Sequence, residues 1–140
     1  MIILDTNAIS EMMRPAPDQA VLERMKRDFA SSPPYTTAIT QAEILYGIGL
    51  LPAGRRRKNL EKLADGIFGE DFAGRILPFD SEAAVEYAAL AVAARKAGRR
   101  MSEADGRIAS IARLNHAALM TRNVRDFEGC GIKLKNPWRE

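Results

Sequence analysis

Asp5, Glu43, Asp105 and Asp126 lie far apart along the chain, and each stands where a backbone element can aim a carboxylate. Asp5 ends the apolar run Met1-Ile2-Ile3-Leu4 and is followed by Thr6 and Asn7, so a carboxylate, a hydroxyl and an amide arrive together. Glu43 comes three residues after Thr40, Asp105 three residues after Ser102, and Asp126 shortly after the apolar run that ends at Thr121. Carboxylates gathered in one place repel, and burying even one unpaired costs several kcal/mol. A set of four therefore needs a counter-charge. A divalent cation with oxygen ligands supplies it, and hard carboxylates suit Mg2+ or Mn2+. Zinc is disfavoured, because the chain has one histidine, His116, and one cysteine, Cys130. An acid-held metal flanked by basic residues suits phosphodiester hydrolysis. The ion lowers the pKa of a bound water, steadies the charge that develops on phosphorus and orients the scissile group. Arg107, Arg122 and Arg125 flank the acids as phosphate-binding candidates, and Arg55-Arg56-Arg57-Lys58 could track a polyanion backbone. The last run is equally a solvated helix face.

Each acid also has a bland explanation. Asp5 and Thr6 could simply start the next helix. Thr40-Gln41-Ala42-Glu43 and Ser102-Glu103-Ala104-Asp105 both match the capping box, in which the acid answers the cap's own amide. What separates the readings is whether the elements bring the acids to one place.

The four apolar residues before Asp5 read as a strand buried on both faces, as in a parallel sheet. Residues 8–13 form a short helix broken at Pro15 and Pro17, and Asp18 caps a second. Tyr35-Thr36-Thr37 reads as a short strand, after which Thr40 opens a helix that carries Ile44, Leu45, Ile48 and Leu51 inward. A helix over 55–67 buries Leu60, Leu63 and Ile67. Residues 76–79 read as a strand whose Pro78 argues for an edge. Asp80-Ser81 caps a long alanine-rich helix that stops near Gly98, and Ser102 opens the next, with Ile108, Ile111, Ala112 and Leu114 inward. Residues 118–121 and 132–134 are the last strands.

The resulting order, β-α-α-β-α-α-β-α-α-β-β, is α/β and predicts a three-layer α/β/α sandwich. Its sheet is mostly parallel and about five-stranded. Ligands of such sheets sit at the carboxyl edge of the strands, where all four acids are expected. The helix over 102–115 returns at once into 118–121, so its start, with Asp105, lies where that strand ends. The early helices carry Ile9, Met12, Met13, Val21, Leu22 and Met25, and such a methionine-rich face could receive a partner helix.

The 140 residues suit one domain, 1–140, and the 46% apolar and 28% charged composition is that of a globular protein. No membrane-spanning run and no leader are expected, and one cysteine excludes an internal disulfide, which together point to the cytoplasm. The net charge of +3 permits a polyanionic partner without requiring one.

The chain resembles PIN-domain ribonucleases, and within them the VapC-type toxins of toxin–antitoxin pairs. The likeness is carried by Ile3-Leu4-Asp5-Thr6-Asn7, by Thr40-Gln41-Ala42-Glu43-Ile44-Leu45-Tyr46-Gly47, by Ala104-Asp105-Gly106-Arg107-Ile108-Ala109, by the run from Leu119 to Phe127 and by Asn136-Pro137-Trp138. Ile9-Ser10-Glu11 and the run from Gly74 to Asp80 look most like the FitB branch. The resemblance implies a Mg2+- or Mn2+-dependent endoribonuclease acting on RNA. It also implies a homodimer held by a cognate antitoxin whose tail blocks the acidic pocket, and operator DNA reached through that antitoxin. By position Asp5, Glu43 and Asp105 carry over as metal ligands. Some relatives have Asp where Asn123 stands, so either Asn123 contributes a neutral amide or Asp126 supplies the fourth acid; Asp126 is preferred. Thr6, Asn7 and Asn123 are then hydrogen bonders behind the ligands.

A phosphoryl-transfer enzyme of the haloacid dehalogenase type would need a second Asp where Asn7 stands. Gly47-Ile48-Gly49 lies inside a helical pattern, not after a strand, which disfavours a nucleotide-binding loop. The remaining rival is non-enzymatic: a corepressor that stabilises a DNA-binding antitoxin around a vestigial site.

Overall fold

The computed structural model describes residues 1–139. Five strands, β1 (Ile2–Leu4), β2 (Thr36–Thr37), β3 (Ile76–Leu77), β4 (Ala118–Met120) and β5 (Leu134–Lys135), alternate with six α-helices. β1 pairs with β4 and β4 with β5, β2 pairs with β3, and all of these ladders are parallel. The two groups join where Ile3 bridges Tyr35, with Leu4 N donating to Tyr35 O at 2.8 Å and Tyr35 N to Ile2 O at 2.9 Å. The sheet therefore runs β3-β2-β1-β4-β5, with the proline-terminated β3 at one edge and β5 at the other.

Successive residues of a strand face opposite sides, and here each side has its own core. Leu4 and Met120 pack with α1 (Thr6–Met12), α2 (Gln19–Phe29), α3 (Ala38–Gly49) and α4 (Arg55–Gly66). A π-helical turn at Ile67–Asp71 adds Ile67 and Phe68 to that side, and Phe72 follows it. Ile3 and Leu119 pack with α5 (Ser81–Lys96) and α6 (Glu103–Leu114). The three layers expected of the α/β pattern are these.

Three expectations fail for identifiable reasons. Thr40 does not open α3. The chain turns helical directly after the two-residue β2, so Thr37 is the cap and its Oγ1 accepts from Thr40 N at 3.1 Å. Ile44 and Ile48 are buried as expected, but Leu45, one step round the helix from Ile44, is exposed at 46%, and Leu63 of α4 is similarly exposed. The early helices offer no free groove. Ile9, Met13, Val21 and Met25 are buried in the first core, and Met12 and Leu22 pack against it. Among the described residues no helix is long and apolar enough to cross a membrane.

Candidate active site

Where β1 ends, Asp5 does two jobs. Its extended backbone makes it the cap of α1, with Oδ1 accepting from Thr6 N at 2.8 Å. Its Oδ2 accepts from Thr121 Oγ1 at 2.8 Å and from Asn7 Nδ2 at 3.2 Å. Thr121 directly follows β4, and its hydroxyl also accepts from Asn123 N at 3.0 Å. Asn7 Oδ1 accepts from Arg122 N at 2.9 Å. The exits of β1 and β4, adjacent in the sheet, are thus stitched together around one carboxylate that is only 4% exposed. Burial raises the pKa of Asp5, the bonds from Thr121 and Thr6 pull against that, and the charge of Glu43 adds to the rise.

Glu43 comes from the second turn of α3 and is exposed. Its Oε1 accepts from Thr6 Oγ1 at 2.7 Å, and the same hydroxyl lies 3.2 Å from Thr40 Oγ1. Thr40, released from capping, is buried and helps set the angle at which Glu43 is held. The capping-box account of Glu43 is excluded by this arrangement.

Asp105 sits in the first turn of α6, where its amide donates to Ser102 Oγ at 3.1 Å. Half the capping-box reading therefore holds here. Burial raises the pKa of Asp105 first; the Ser102 contact opposes this, while the charges of Asp5, Asp126 and Glu43 raise it further. Asp105 thus feels the charge of the other three acids.

Asp5, Glu43 and Asp105 line a single open cavity of about 460 Å3, along with Thr6, Asn7, Asn123 and Arg122. Asp126 does not. It belongs to a single 3-10 turn, Val124–Phe127, is exposed, and reaches Asp105 only through its charge. Arg107 and Arg125 are also outside the lining. Arg107 pairs with Glu103 at 3.4 Å and lies 5.7 Å over the Phe79 ring, and Arg125 is exposed. Arg122 alone of the three faces the cavity, its guanidinium 5.5 Å over the Trp138 ring. A larger cavity, about 690 Å3, surrounds His116 at the opposite edge of the sheet, and its one carboxylate, Glu86, is already paired with Arg113 at 2.7 Å.

Residues beyond the sequence reading complete the wall. Glu11 is 4% exposed and takes Arg14 Nη1 at 3.0 Å and Asp18 N at 3.3 Å. Asn7, Ser10, Glu11 and Arg14 all line the cavity, and their i, i+3, i+4, i+7 spacing was the available signal that they share one helix face. Thr121 carried no such signal, since a threonine at a strand end is ordinary.

The donor set is all oxygen, its charges are mutually repulsive, and Arg14 is occupied by Glu11. That chemistry fits a hard divalent cation. Among the described residues no three carboxylate, imidazole or thiol groups are drawn together tightly enough to hold an ion as they stand. Asp5 is held by Thr121, Asn7 and the Thr6 amide, and Glu43 by the Thr6 hydroxyl.

The chain matches the PIN domain family over residues 2–129. It is 39% identical to a VapC ribonuclease of Sinorhizobium fredii over 138 residues, covering 99% of this chain and 98% of that protein. It is 36% identical to Toxin FitB of Neisseria gonorrhoeae over the full length of both. Its backbone superimposes on that of a chain in a FitAB complex bound to a DNA fragment with a TM-score of 0.91, at 36% identity, covering 100% of this chain and 97% of that one.

Proposed function

The chain belongs to the PIN-domain family, and on that footing we propose that it is a Mg2+- or Mn2+-dependent endoribonuclease, the toxin of a toxin–antitoxin pair. The observation that carries the reading is the convergence of Asp5, Glu43 and Asp105, from three separate elements, on one cavity with no free cation against them but Arg122. These three would hold the ion, and Asp126 would add charge from outside the cavity. Bound there, the ion supplies an ionised water and offsets the charge on phosphorus.

The remaining roles belong to the chain. Thr121, Asn7 and the Thr6 amide fix Asp5 in place, and the bonds they donate oppose the rise in its pKa that burial brings. Thr6 Oγ1 holds Glu43 close to Asp5. Arg122, braced on Trp138, binds the scissile phosphate, and Asn123 offers a neutral amide beside it.

Two apolar surfaces suit the protein partners. Leu45, Tyr46 and Leu50 of α3 and the end of that helix, with Leu63 of α4, form an exposed face running away from Glu43, where an antitoxin segment would dock. On α5, Val85 and Val92 are exposed at 72% and 53% and lie two turns apart on one side, the place for a second copy of the chain. DNA contact would come through the antitoxin, as the FitAB complex is one bound to DNA.

The test is cleavage of a single-stranded RNA by the purified protein with Mn2+, beside Asp5→Asn and Asp105→Asn. Both variants should stop cutting. Asp105→Asn should melt at least as high as the parent without metal, since it removes a repelling charge, whereas Asp5→Asn also gives up an oxygen that accepts from Thr121 and Asn7. A wild-type protein that never cuts, while its complex with the antitoxin still binds operator DNA, would replace this reading with the corepressor one.

A further inference from the structure

A second cavity, about 640 Å3, opens at the turn between α5 and α6, outside the acidic site. Arg95, Arg99, Arg100, Tyr87 and Ser102 contribute to its wall, and no carboxylate does. Four arginines elsewhere on this surface are matched with acids: Arg14 with Glu11, Arg57 with Glu61, Arg107 with Glu103, Arg113 with Glu86. Among the described residues, the arginines of this cavity have no such match. Arg95 and Arg100 are exposed and have no hydrogen-bond or ion-pair partner among the described residues. Arg99 is fixed instead by carbonyls, donating from Nη1 to Glu128 O at 2.9 Å and from Nη2 to Gly129 O at 3.5 Å. Gly129, at a φ of +82°, makes room for it; a Cβ there would stand 2.8 Å from the guanidinium carbon.

The position of the cavity matters as much as its charge. Ser102 is both part of its wall and the cap of α6, with Oγ accepting from Asp105 N. The basic cavity therefore begins one helical turn, about 5 Å along the axis, from Asp105. Tyr87 of the cavity wall packs edge-on against Phe79, over whose ring Arg107 lies. A ligand that meets the acidic cavity and continues here must carry repeated negative charge and flat rings. Single-stranded RNA does both, its phosphates answering guanidiniums and its bases stacking on rings.

We propose that this cavity is a phosphodiester subsite, in which Arg95 and Arg100 hold the backbone of an RNA single strand next to Asp105. Arg99 is the fixed anchor of the pair, and Tyr87 offers its ring to a base. The identity of the strand as substrate rests on the nuclease reading; the basic cavity does not.

The measurement is fluorescence anisotropy of a labelled single-stranded oligoribonucleotide in EDTA, titrated at several salt concentrations so that binding is read without cleavage. The variant is Arg95→Gln/Arg100→Gln, and the control is Lys26→Gln/Lys62→Gln, which removes the same charge from exposed positions on α2 and α4. Losing two phosphate contacts should flatten the slope of log K against log salt by about 1.4, at roughly 0.7 per contact for single strands. The control slope should hold. An unchanged slope in the arginine variant, or an equal flattening in both variants, overturns the subsite. Adding Mn2+ to the same oligonucleotide separates the two claims. Cutting by the wild type with no slope difference sinks the subsite alone, whereas a slope difference without any cutting sinks the nuclease reading and leaves a backbone-binding cavity standing.

Discussion

Replacing Thr121 by valine removes one hydroxyl and almost nothing else. Thr121 is fully buried, and valine matches its shape, so no cavity opens. What is lost is the 2.8 Å bond donated to Asp5 Oδ2, a hydrogen bond to a charged, buried group. Such bonds contribute about 1.5–3 kcal/mol. Asn123 N and Asn7 Nδ2 lose an acceptor too, but both lie near the surface and can turn to water. We therefore expect a loss of about 2 kcal/mol, which for a chain of this size lowers Tm by roughly 6–8 °C. The pH dependence has a definite sign. The Thr121 bond lowers the pKa of Asp5 against the larger upward push of burial, so removing it lets that pKa climb further. The deficit of the variant is then fully present where Asp5 is ionised in both folded and unfolded chains. It shrinks as the pH falls through the raised folded value toward the ordinary 3.8. Metal-free melting curves between pH 7 and pH 4 would show this, and Thr121→Ser should recover most of the loss. Cleavage should fall about 10–100-fold with valine, because Asp5 loses the group that orients it. A variant that melts with the wild type at pH 7, or whose deficit is the same at pH 4, would refute the reasoning.

Divalent metal should stabilise the folded chain. At a hundredfold excess over Kd, Mn2+ adds about 2.7 kcal/mol, and calorimetry should find most of that shift missing in Asp105→Asn. Without metal the sign reverses. Asp5 and Asp105 both have raised pKa values, so the fold is favoured while they are protonated and loses stability as the pH rises through those values; the double variant Asp5→Asn/Asp105→Asn should melt with a flatter pH profile. Tyr46→Asp/Leu50→Asp should weaken antitoxin capture at least tenfold in a pull-down titration while leaving RNA cleavage unchanged, since neither residue lines the acidic cavity. Val92→Asp should convert a dimer to a monomer by light scattering, and a variant that stays dimeric would move the homodimer seam away from α5.

The parts legible in the sequence are those where a single element determines the outcome. The apolar run that ends at Leu4 reads as a strand, and Ile2–Leu4 form one with Ile3 and Leu4 buried, so the place of Asp5 at its end was legible from its own neighbourhood. The place of Asp105 was legible because α6 ends so close to β4 that the two must run antiparallel, which puts the helix start, capped by Ser102, at the edge where β4 ends. What escaped depends on two elements at once. Thr121 matters because β4 lies beside β1, a pairing that joins residues 116 apart in sequence. Arg107 and Asp126 lie within a few residues of the right motifs yet face elsewhere, because a one-residue step on a helix turns a side chain by over a quarter of a circle. Thr40 was misplaced for another reason: the chain turns helical directly after β2, so Thr37 is the cap, and Glu43 is left to accept from Thr6. Leu45, one step from the buried Ile44, faces outward.

That correction changes what kind of site this is. Glu11 in the same wall is balanced by Arg14. With Glu43 directed to Thr6, three further carboxylates face the space, and the groups that tether Asp5 and Glu43 are hydroxyls and amides, none of which carries charge. Neutral tethers orient the acids without discharging them. On the proposed reading the charge that offsets the acids comes from outside the chain, while α1 and the β1–β4 pairing hold Asp5, α6 carries Asp105, and Thr6 holds the exposed Glu43.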